Sequence, residues 1–323
     1  MIQQTPQAPL ALAKDSASPT GKAKIWLLEL RAPFFTADLV PVLFGAAFAY
    51  WAKDAFDLLL LLLAMAVTMS LNAGTNMIND FFDYMNGGDV INNARSPFNG
   101  GTPFLTDGVL EPRQVLLAAL IAFGIGGAIG LYLAWTISWW ILPIGLAGGL
   151  LGFLYAAPKV NLAGRGVGEI AVGLSFGPLA VLGTYIVLTG EVALLPFLAG
   201  IPIGLLIGLI LYINQFPDME ADARVGKNHW VVRLGRKKAS AGYPIILGIT
   251  YGCVGVAVLL ALMPPFALLF LLTIPLALKA SKTVLENAED VRALLPAQAM
   301  TIQIHLFGGL MLTAGVALSE YLH

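Results

Sequence analysis

The sequence has little charge, one cysteine and few histidines. Only 11% of its 323 residues are charged, and Cys253 is accompanied by just three histidines. A single cysteine excludes an internal disulfide and a cysteine-based metal site. The formal net charge of −1 offers no basic surface for a nucleic-acid partner. The motifs of P-loop nucleotide-binding proteins, zinc proteases and dinucleotide-binding folds are also missing.

Apolar residues dominate instead, at 58% of the chain. Such a composition is typical of an integral membrane protein, in which each helix needs roughly 20 apolar residues to cross the bilayer. We therefore predict an all-α polytopic membrane protein with nine transmembrane helices. The approximate predicted spans are 33–52, 57–84, 115–135, 138–156, 168–188, 194–216, 241–262, 265–281 and 300–319.

The two ends of the chain differ from this apolar body. Residues 1–23 are polar and predict a disordered cytoplasmic tail, which leaves 24–323 as one transmembrane domain. With the N-terminus in the cytoplasm, Lys53 is the one residue among the 18 Lys and Arg residues that falls outside. This bias predicts a cytoplasmic N-terminus and an external C-terminus, in a prokaryotic inner membrane.

An Asn-x-x-x-Asp unit occurs twice, as Asn76–Asp80 and as Asn214–Asp218. A further aspartate follows each unit, Asp83 in the first and Asp222 in the second. Each unit closes a long apolar run, and the two are four predicted helices apart. This offset predicts two four-helix repeats, with the ninth helix added at the end.

The two units predict a metal and phosphate site. Asn76, Asp80 and Asp83 share one face of a helix, and Pro217 is expected to bend or end the sixth predicted helix just before the second unit. Carboxylates are costly near hydrocarbon and therefore indicate function. Two acidic clusters that face each other favour Mg²⁺, with Mn²⁺ as a substitute, bound together with substrate phosphates.

Residues of the predicted cytoplasmic loops complement the acidic clusters. Basic side chains there either bind phosphate oxygens or act as topology signals and lipid-headgroup anchors. Glu169 either complements a helix dipole or lines a cavity, and Arg31 either pairs with an acceptor carboxylate or marks topology. His229 either acts as a base or is a satisfied loop histidine, and we favour the second; His305 is interpreted as a packing residue of the ninth predicted helix. The remaining substrate-binding candidates are Asp89, Arg95, Tyr155, Lys159, Arg224 and Lys227.

The paired motifs, Asn76-x-x-x-Asp80-x-x-Asp83 and Asp218-x-x-x-Asp222, resemble the UbiA superfamily of intramembrane aromatic prenyltransferases. Nine helices fit this resemblance. It implies Mg²⁺-dependent transfer of a polyprenyl group from an isoprenyl diphosphate to a lipophilic aromatic acceptor, at a site exposed to membrane lipid. It implies a catalytic role for the four aspartates, Asn76 and Asn214, with Asn76 and the aspartates as metal ligands.

Three segments, 79–89, 168–185 and 226–235, are similar to the 1,4-dihydroxy-2-naphthoate branch of that superfamily, which acts in menaquinone biosynthesis. Asp89 agrees with this branch, whereas Gly87 stands where the 4-hydroxybenzoate branch has an aspartate. Asn214-Gln-Phe-Pro-Asp218 departs from the Asn-Asn-x-Arg-Asp usual in the naphthoate branch. The alternative acceptors are therefore 4-hydroxybenzoate or another aromatic or lipid substrate of the superfamily.

A function of another class also fits buried carboxylates, because such groups mark ion pathways in membranes. A cation- or proton-coupled transporter is therefore the rival hypothesis, and a lipid-binding scaffold without catalysis is a more distant one. The acidic residues cluster at one face, and the predicted outer half of the chain has no matching relay. This asymmetry favours the enzyme. Neither the oligomeric state nor the prenyl chain length follows from the sequence.

Overall fold

The computed structural model describes residues 19–91, 96, 98–99 and 101–322, which contain helices and no β-strand. The longer helices are α1 Pro19–Glu29, α2 Thr36–Lys53, α3 Leu58–Met85, α4 Pro112–Thr136, α5 Ile141–Ala156, α6 Gly168–Thr189, α7 Leu194–Arg224, α8 Arg236–Leu259, α9 Pro265–Glu286 and α10 Leu295–Leu318. Short helical turns lie at Ala32–Phe35, Gly88–Ile91, Ala163–Arg165, Trp230–Leu234 and Ser319–Leu322.

Helices α2 to α10 follow the predicted apolar runs closely. Seven of them are long and apolar enough to cross a membrane, namely α3, α4 and α6 to α10. Helices α2 and α5 are shorter, at 18 and 16 residues, and coincide with the remaining two predicted runs. The all-helical class is confirmed, while the count of nine spans and the four-helix repeat stay predictions.

Local sequence signals fix several helix ends. The Asp57 side chain accepts a hydrogen bond from the Leu60 backbone N–H at 2.9 Å and so caps the start of α3, satisfying a donor that has no partner within the helix. Glu111 and Gln114 form a capping box at the start of α4, where Pro112 takes the first position. Gly190 ends α6 with φ 74°, a conformation that glycine adopts without steric cost.

Helix α7 packs against α6 through glycines. A Cβ built on Gly204 would lie 2.4 Å from the carbonyl oxygen of Gly173, and one on Gly177 would lie 2.5 Å from the backbone of Gly204. Only glycine allows the two backbones to approach this closely, as is common between membrane helices. The contact fixes the position of α7, whose far end carries the second acidic motif.

Pro217 was expected to bend or end the sixth predicted helix, and the expected end is wrong, because α7 continues without a break to Arg224. A proline inside a helix removes one backbone hydrogen bond. That loss is outweighed here because Ile213, Phe216 and Pro217 are all buried in the packed helix. Arg236 also reinforces this stretch, since its Nε donates to the Phe216 carbonyl oxygen at 2.8 Å. Asp218 and Asp222 therefore lie on a continuous helix.

The N-terminal region is anchored to the helices by α1. Residues 1–18 of the predicted tail lie outside the described residues, and residues 19–23 form the start of α1. Ile25 is 2% exposed and belongs to a hydrophobic cluster with Met77 and Ile78 of α3 and with Phe104. Burial of these apolar side chains holds α1 against α3. The end of α1 is thereby brought to the first acidic motif.

Candidate active site

The ends of α3 and α7 meet at a polar cavity of about 130 Å³. Four aspartates line it, one from the first motif, one from the turn after α3 and two from the second motif. They are Asp83, Asp89, Asp218 and Asp222. Tyr155 of α5 and Asn214 of α7 line the same cavity. The fold therefore brings both sequence motifs to one site.

Lys227 joins the two motifs across this cavity. Its Nζ lies 2.8 Å from a carboxylate oxygen of Asp83 and 3.5 Å from one of Asp222. All three side chains are largely buried, with exposed fractions of 14 to 17%. Burial alone would lower the pKa of Lys227, but the charges of Asp83 and then Asp222 outweigh it and raise the pKa. Lys227 therefore stays protonated between the two carboxylates.

Asp80 lies behind the cavity wall, where it is only 1% exposed. It forms an ion pair with Arg31 and accepts a hydrogen bond from the backbone N–H of Thr102 at 3.4 Å. Gly101 passes directly over this pair with φ +67°, and a Cβ there would lie 3.0 Å from Asp80 Oδ1 and 3.2 Å from Arg31 Nη2. Both the backbone conformation and the space require glycine at this position.

Glu29, at the end of α1, is a further acidic group that the sequence motifs do not reveal. It is fully buried, and its carboxylate accepts a hydrogen bond from the Thr102 hydroxyl. Burial, followed by the charge of Asp80, raises the pKa of Glu29 to about 7. Its Oε1 has no hydrogen-bond partner within the described part of the chain. The only sequence feature that connects Glu29 with the site is its position two residues before the candidate residue Arg31.

The second motif is tied to the segment that follows α3. Asn99 Nδ2 donates to Asp218 at 2.6 Å, and Asn214 Nδ2 donates to the Phe98 carbonyl oxygen at 2.7 Å. Gln298 of α10 in turn donates to Asn214 Oδ1 at 2.9 Å. Asn214 is therefore held on both sides. Gln298 was not predicted, because nothing in the local pattern of α10 indicates which polar side chain it meets.

His229 contacts the site through Asp222. Its Nε2 donates to Asp222 at 3.1 Å, while its Nδ1 accepts the backbone N–H of Val232 at 3.4 Å and caps a short helix. Both ring nitrogens have a hydrogen-bond partner, which fixes the tautomer with its proton on Nε2, facing the Asp222 carboxylate. The structure therefore supports the interpretation of His229 as a satisfied histidine, and it adds that Asp222 is the partner.

Other predicted substrate-binding residues are placed differently. Lys159 and Arg224 are exposed and do not line the cavity. Arg95 lies outside the described residues. Glu169 lines a separate, apolar cavity of about 530 Å³, and its two carboxylate oxygens have no hydrogen-bond partner among the residues that the structure covers. Its surroundings are therefore unlike those of the four aspartates.

The donor set of the polar site fits a hard divalent cation. The described residues contain no preassembled group of three acidic, histidine or cysteine ligands. Nevertheless, four carboxylates line the cavity, and Asp80 adds a fifth beside Gly101 of the lining. Gln215 also lines the cavity, and its buried Oε1 accepts no hydrogen bond from the described residues. Carboxylate and amide oxygens are the ligands that Mg²⁺ prefers.

Two relatives are similar to almost the whole chain. The 1,4-dihydroxy-2-naphthoate octaprenyltransferase of Bacillus subtilis (strain 168) is 28% identical over 297 residues, covering 92% of this chain and 93% of the relative. The 2-carboxy-1,4-naphthoquinone phytyltransferase of Synechocystis sp. is 27% identical over 322 residues, covering 98% of both chains.

The fold has a solved counterpart. A UbiA homolog from Archaeoglobus fulgidus, solved bound to GPP and Mg²⁺, superposes with a TM-score of 0.58 at 16% identity, covering 89% of this chain and 99% of the homolog. The family model for UbiA prenyltransferases matches residues 39–304. That match includes both acidic motifs and all the aspartates of the cavity. The protein is an integral membrane enzyme that transfers prenyl groups, and the chain belongs to the UbiA prenyltransferase family.

Proposed function

We propose that the polar cavity between α3 and α7 binds an isoprenyl diphosphate together with Mg²⁺, and that the enzyme transfers the polyprenyl group to 1,4-dihydroxy-2-naphthoate in menaquinone biosynthesis. The observation that carries the proposal is the contact of Lys227 with Asp83 and Asp222, because it unites the two motifs in one cavity. The name of the Bacillus subtilis relative supports the choice of acceptor.

The residues that would hold Mg²⁺, or Mn²⁺ in its place, are Asp80, Asp83, Asp218, Asp222 and Asn76. When bound, the ion would compensate the charge that develops on the leaving diphosphate. The oxygen-rich lining of the cavity supports this assignment, since carboxylate and amide oxygens are the ligands that Mg²⁺ prefers. Asn214 is held by two hydrogen bonds and is proposed to keep the α7 motif in register.

The cationic side chains of the site are proposed to bind the diphosphate oxygens. Lys227 is already inside the cavity, and Arg31 lines it while contacting Asp80. A planar guanidinium and a mobile ammonium group complement each other as phosphate ligands. Tyr155 and Asp89 line the same cavity and are proposed to orient these groups. Arg95 follows Asp89 by six positions in the sequence and is proposed to add a further cation.

The reaction begins when the allylic C–O bond of the donor breaks and the electron pair leaves with the diphosphate. With the naphthoate acceptor, the ring carbon that carries the carboxylate forms the new C–C bond, and the carboxylate leaves that same carbon as CO₂, which restores the aromatic ring. The carbocation must be kept from water, which the apolar helices beneath the polar cavity would do. Glu169, whose oxygens lack protein donors, is proposed to accept a hydrogen bond from the acceptor.

The proposed topology follows from the distribution of basic residues. Helices α2 to α10 are proposed to form nine transmembrane spans in a prokaryotic inner membrane, with the N-terminus and the polar cavity on the cytoplasmic side and the C-terminus outside. Helices α2–α5 and α6–α9 are proposed as the two repeats. The motif helices α3 and α7 are then the second helix of each repeat, which accounts for the matching positions of their acidic ends.

Product analysis tests this function directly. Purified protein is incubated with Mg²⁺, an isoprenyl diphosphate and a panel of naphthoic, benzoic and lipid acceptors, and the products are identified by mass spectrometry. We expect a prenylated naphthoquinol and its loss when EDTA removes the metal. Cation uptake into liposomes, with no prenylated product from any acceptor, would overturn the proposal in favour of a transporter.

A further inference from the structure

Asp38, near the start of α2, is a buried carboxylate that the acidic motifs do not include. Its exposed fraction is 0%, and its Oδ1 has no hydrogen-bond partner among the described residues. A buried carboxylate is costly, and more so when one oxygen is unsatisfied. Such a group requires either a functional or a structural explanation.

The other oxygen of Asp38 begins a hydrogen-bonded chain that leads to the first motif. Asp38 Oδ2 accepts from Asn72 Nδ2 at 2.7 Å, and Asn72 Oδ1 accepts from Asn76 Nδ2 at 3.2 Å. Asn72 and Asn76 stand one turn apart on α3, so that their side chains meet on the same helix face. The Leu30 carbonyl oxygen also accepts from Asn76 Nδ2, at 3.4 Å.

The series of hydrogen bonds from Asp38 through Asn72 to Asn76 fixes which amide atom each asparagine presents to its neighbour. Asp38 Oδ2 is the acceptor in its contact with Asn72, whereas an asparagine amide can present either its oxygen or its nitrogen. Asn72 must therefore turn its nitrogen to Asp38 and its oxygen to Asn76. Asn76 in turn presents its nitrogen to Asn72, and its own Oδ1 makes no hydrogen bond within the part of the chain that the structure describes. An uncommitted amide oxygen is the atom that a hard cation binds.

We propose that Asp38 is a positioning residue, which acts through Asn72 to fix the amide of Asn76 with its oxygen available to the divalent cation. The inference rests on the proposed function, in which Asn76 is a metal ligand. Groups that orient a metal ligand from behind typically change metal affinity by about 10- to 100-fold when removed. A purely structural contact between α2 and α3 could be made by any two polar side chains, without an unsatisfied oxygen. The positioning role therefore accounts better for a carboxylate at residue 38.

The hydrogen-bonded series Asp38–Asn72–Asn76, called the relay below, can be tested independently of turnover by measuring metal binding directly. Mn²⁺ is titrated into the purified protein in the presence of a non-hydrolysable isoprenyl diphosphonate, and free Mn²⁺ is followed by electron paramagnetic resonance. We expect Asp38→Ala to weaken Mn²⁺ binding about 10-fold. Asp38→Asn should retain most of the affinity, because its amide oxygen can still accept from Asn72.

A double-mutant cycle identifies the route of the effect. Asn76→Ala removes the ligand itself, so that the Asp38→Ala and Asn76→Ala double variant should bind Mn²⁺ no more weakly than Asn76→Ala alone. Tyr243→Phe is the control, since it breaks the equally buried hydrogen bond to Thr301 at 2.6 Å and should leave Mn²⁺ binding unchanged. If Asp38→Ala is not recovered as folded protein, Asn72→Ala breaks the same chain and must give the same loss.

The outcomes separate the relay from the function on which it rests. Additive losses in the double variant, or an unchanged affinity in Asp38→Ala beside a clear loss in Asn76→Ala, would overturn the relay and leave the proposed function intact. Normal Mn²⁺ binding by Asn76→Ala would overturn both the relay and the assignment of Asn76 as a ligand. A wild-type protein that binds no Mn²⁺ at all would overturn the proposed metal site as a whole.

Discussion

Lys227 Nζ lies 2.8 Å from a carboxylate oxygen of Asp83 in the first motif. The same nitrogen contacts Asp222 of the second motif, across the cavity, at 3.5 Å. The lysine follows the end of α7 by three residues, whereas Asp83 lies at the end of α3. A single cation thus links the two halves of the site. It also balances part of the negative charge that the aspartates would otherwise concentrate in one place.

Replacing Lys227 tests this link. We expect Lys227→Ala to lower kcat/KM for the isoprenyl diphosphate by about 100-fold or more, because a charge that stabilises the leaving group is removed. The measurement is the steady-state rate at increasing diphosphate concentration. Lys237→Ala, which removes an exposed lysine of α8, is the matched control and should behave as wild type. Equal rates in the two variants would contradict a role for Lys227 in diphosphate binding.

A pair of glycines separates backbone strain from the contact with Asp80. Gly101 and Gly108 have nearly the same positive φ, +67° and +68°, but only Gly101 has neighbours that a Cβ would meet. Each substitution by alanine should cost about 1–2 kcal/mol of stability through the backbone alone. Only Gly101→Ala should also abolish most activity, because its Cβ would press on the Asp80–Arg31 ion pair. Thermal unfolding and turnover of both variants provide the measurement, and equal activities would show that the ion pair tolerates the displacement.

The membrane helices and the shared site followed from simple physical patterns. Apolar runs long enough to span a bilayer predicted helices such as α3 and α4 because their length is set by the hydrocarbon thickness. The repeated motif predicted that Asp83 and Asp222 face each other, because the four-helix offset gives both helices the same direction. Lys227 was singled out because it follows the second motif closely in the chain.

The relationships that the sequence did not reveal depend on which helices pack together. Gln298 contacts Asn214, and Asp38 contacts Asn72, but each pair joins helices whose proximity is set by tertiary packing. Hydrophobic periodicity identifies the buried face of a helix without identifying its partner. The helix end expected at Pro217 was wrong for a related reason, since local propensity was overridden by the burial of its neighbours on α7.

The buried carboxyl group of Glu29 predicts an unusual dependence of stability on pH. Its pKa rises from 4.5 to about 7 on folding, so the folded state binds the proton more tightly than the unfolded state. The resulting stability is complete below pH 4.5 and is lost as the pH rises to about 7. This difference corresponds to roughly 3 kcal/mol.

Glu29→Gln removes the titrating group while keeping an acceptor for Thr102. We expect the melting temperature of the wild type to fall between about pH 5 and pH 8 relative to that of the variant, since only the wild type must bury a charge at the higher pH. Glu286→Gln, at an exposed position, is the control and should follow the wild-type curve. Parallel curves for wild type and Glu29→Gln would show that Glu29 does not titrate in this range.

The choice of acceptor is the most specific consequence of the proposed function. We expect 1,4-dihydroxy-2-naphthoate to be prenylated with a kcat/KM at least about 10-fold above that of 4-hydroxybenzoate, because a pocket shaped for two fused rings positions a single ring poorly for attack. Competition between the two acceptors for one donor, followed by mass spectrometry, measures the ratio. Glu169→Ala should lower kcat/KM for the naphthoate, because the carboxylate that would orient its hydroxyl group is removed, and should leave Mn²⁺ binding unchanged. A preference for 4-hydroxybenzoate would preserve the family assignment and reject the naphthoate branch, and the segment Asn214–Asp218, which departs from that branch, would then be the first place to seek the cause.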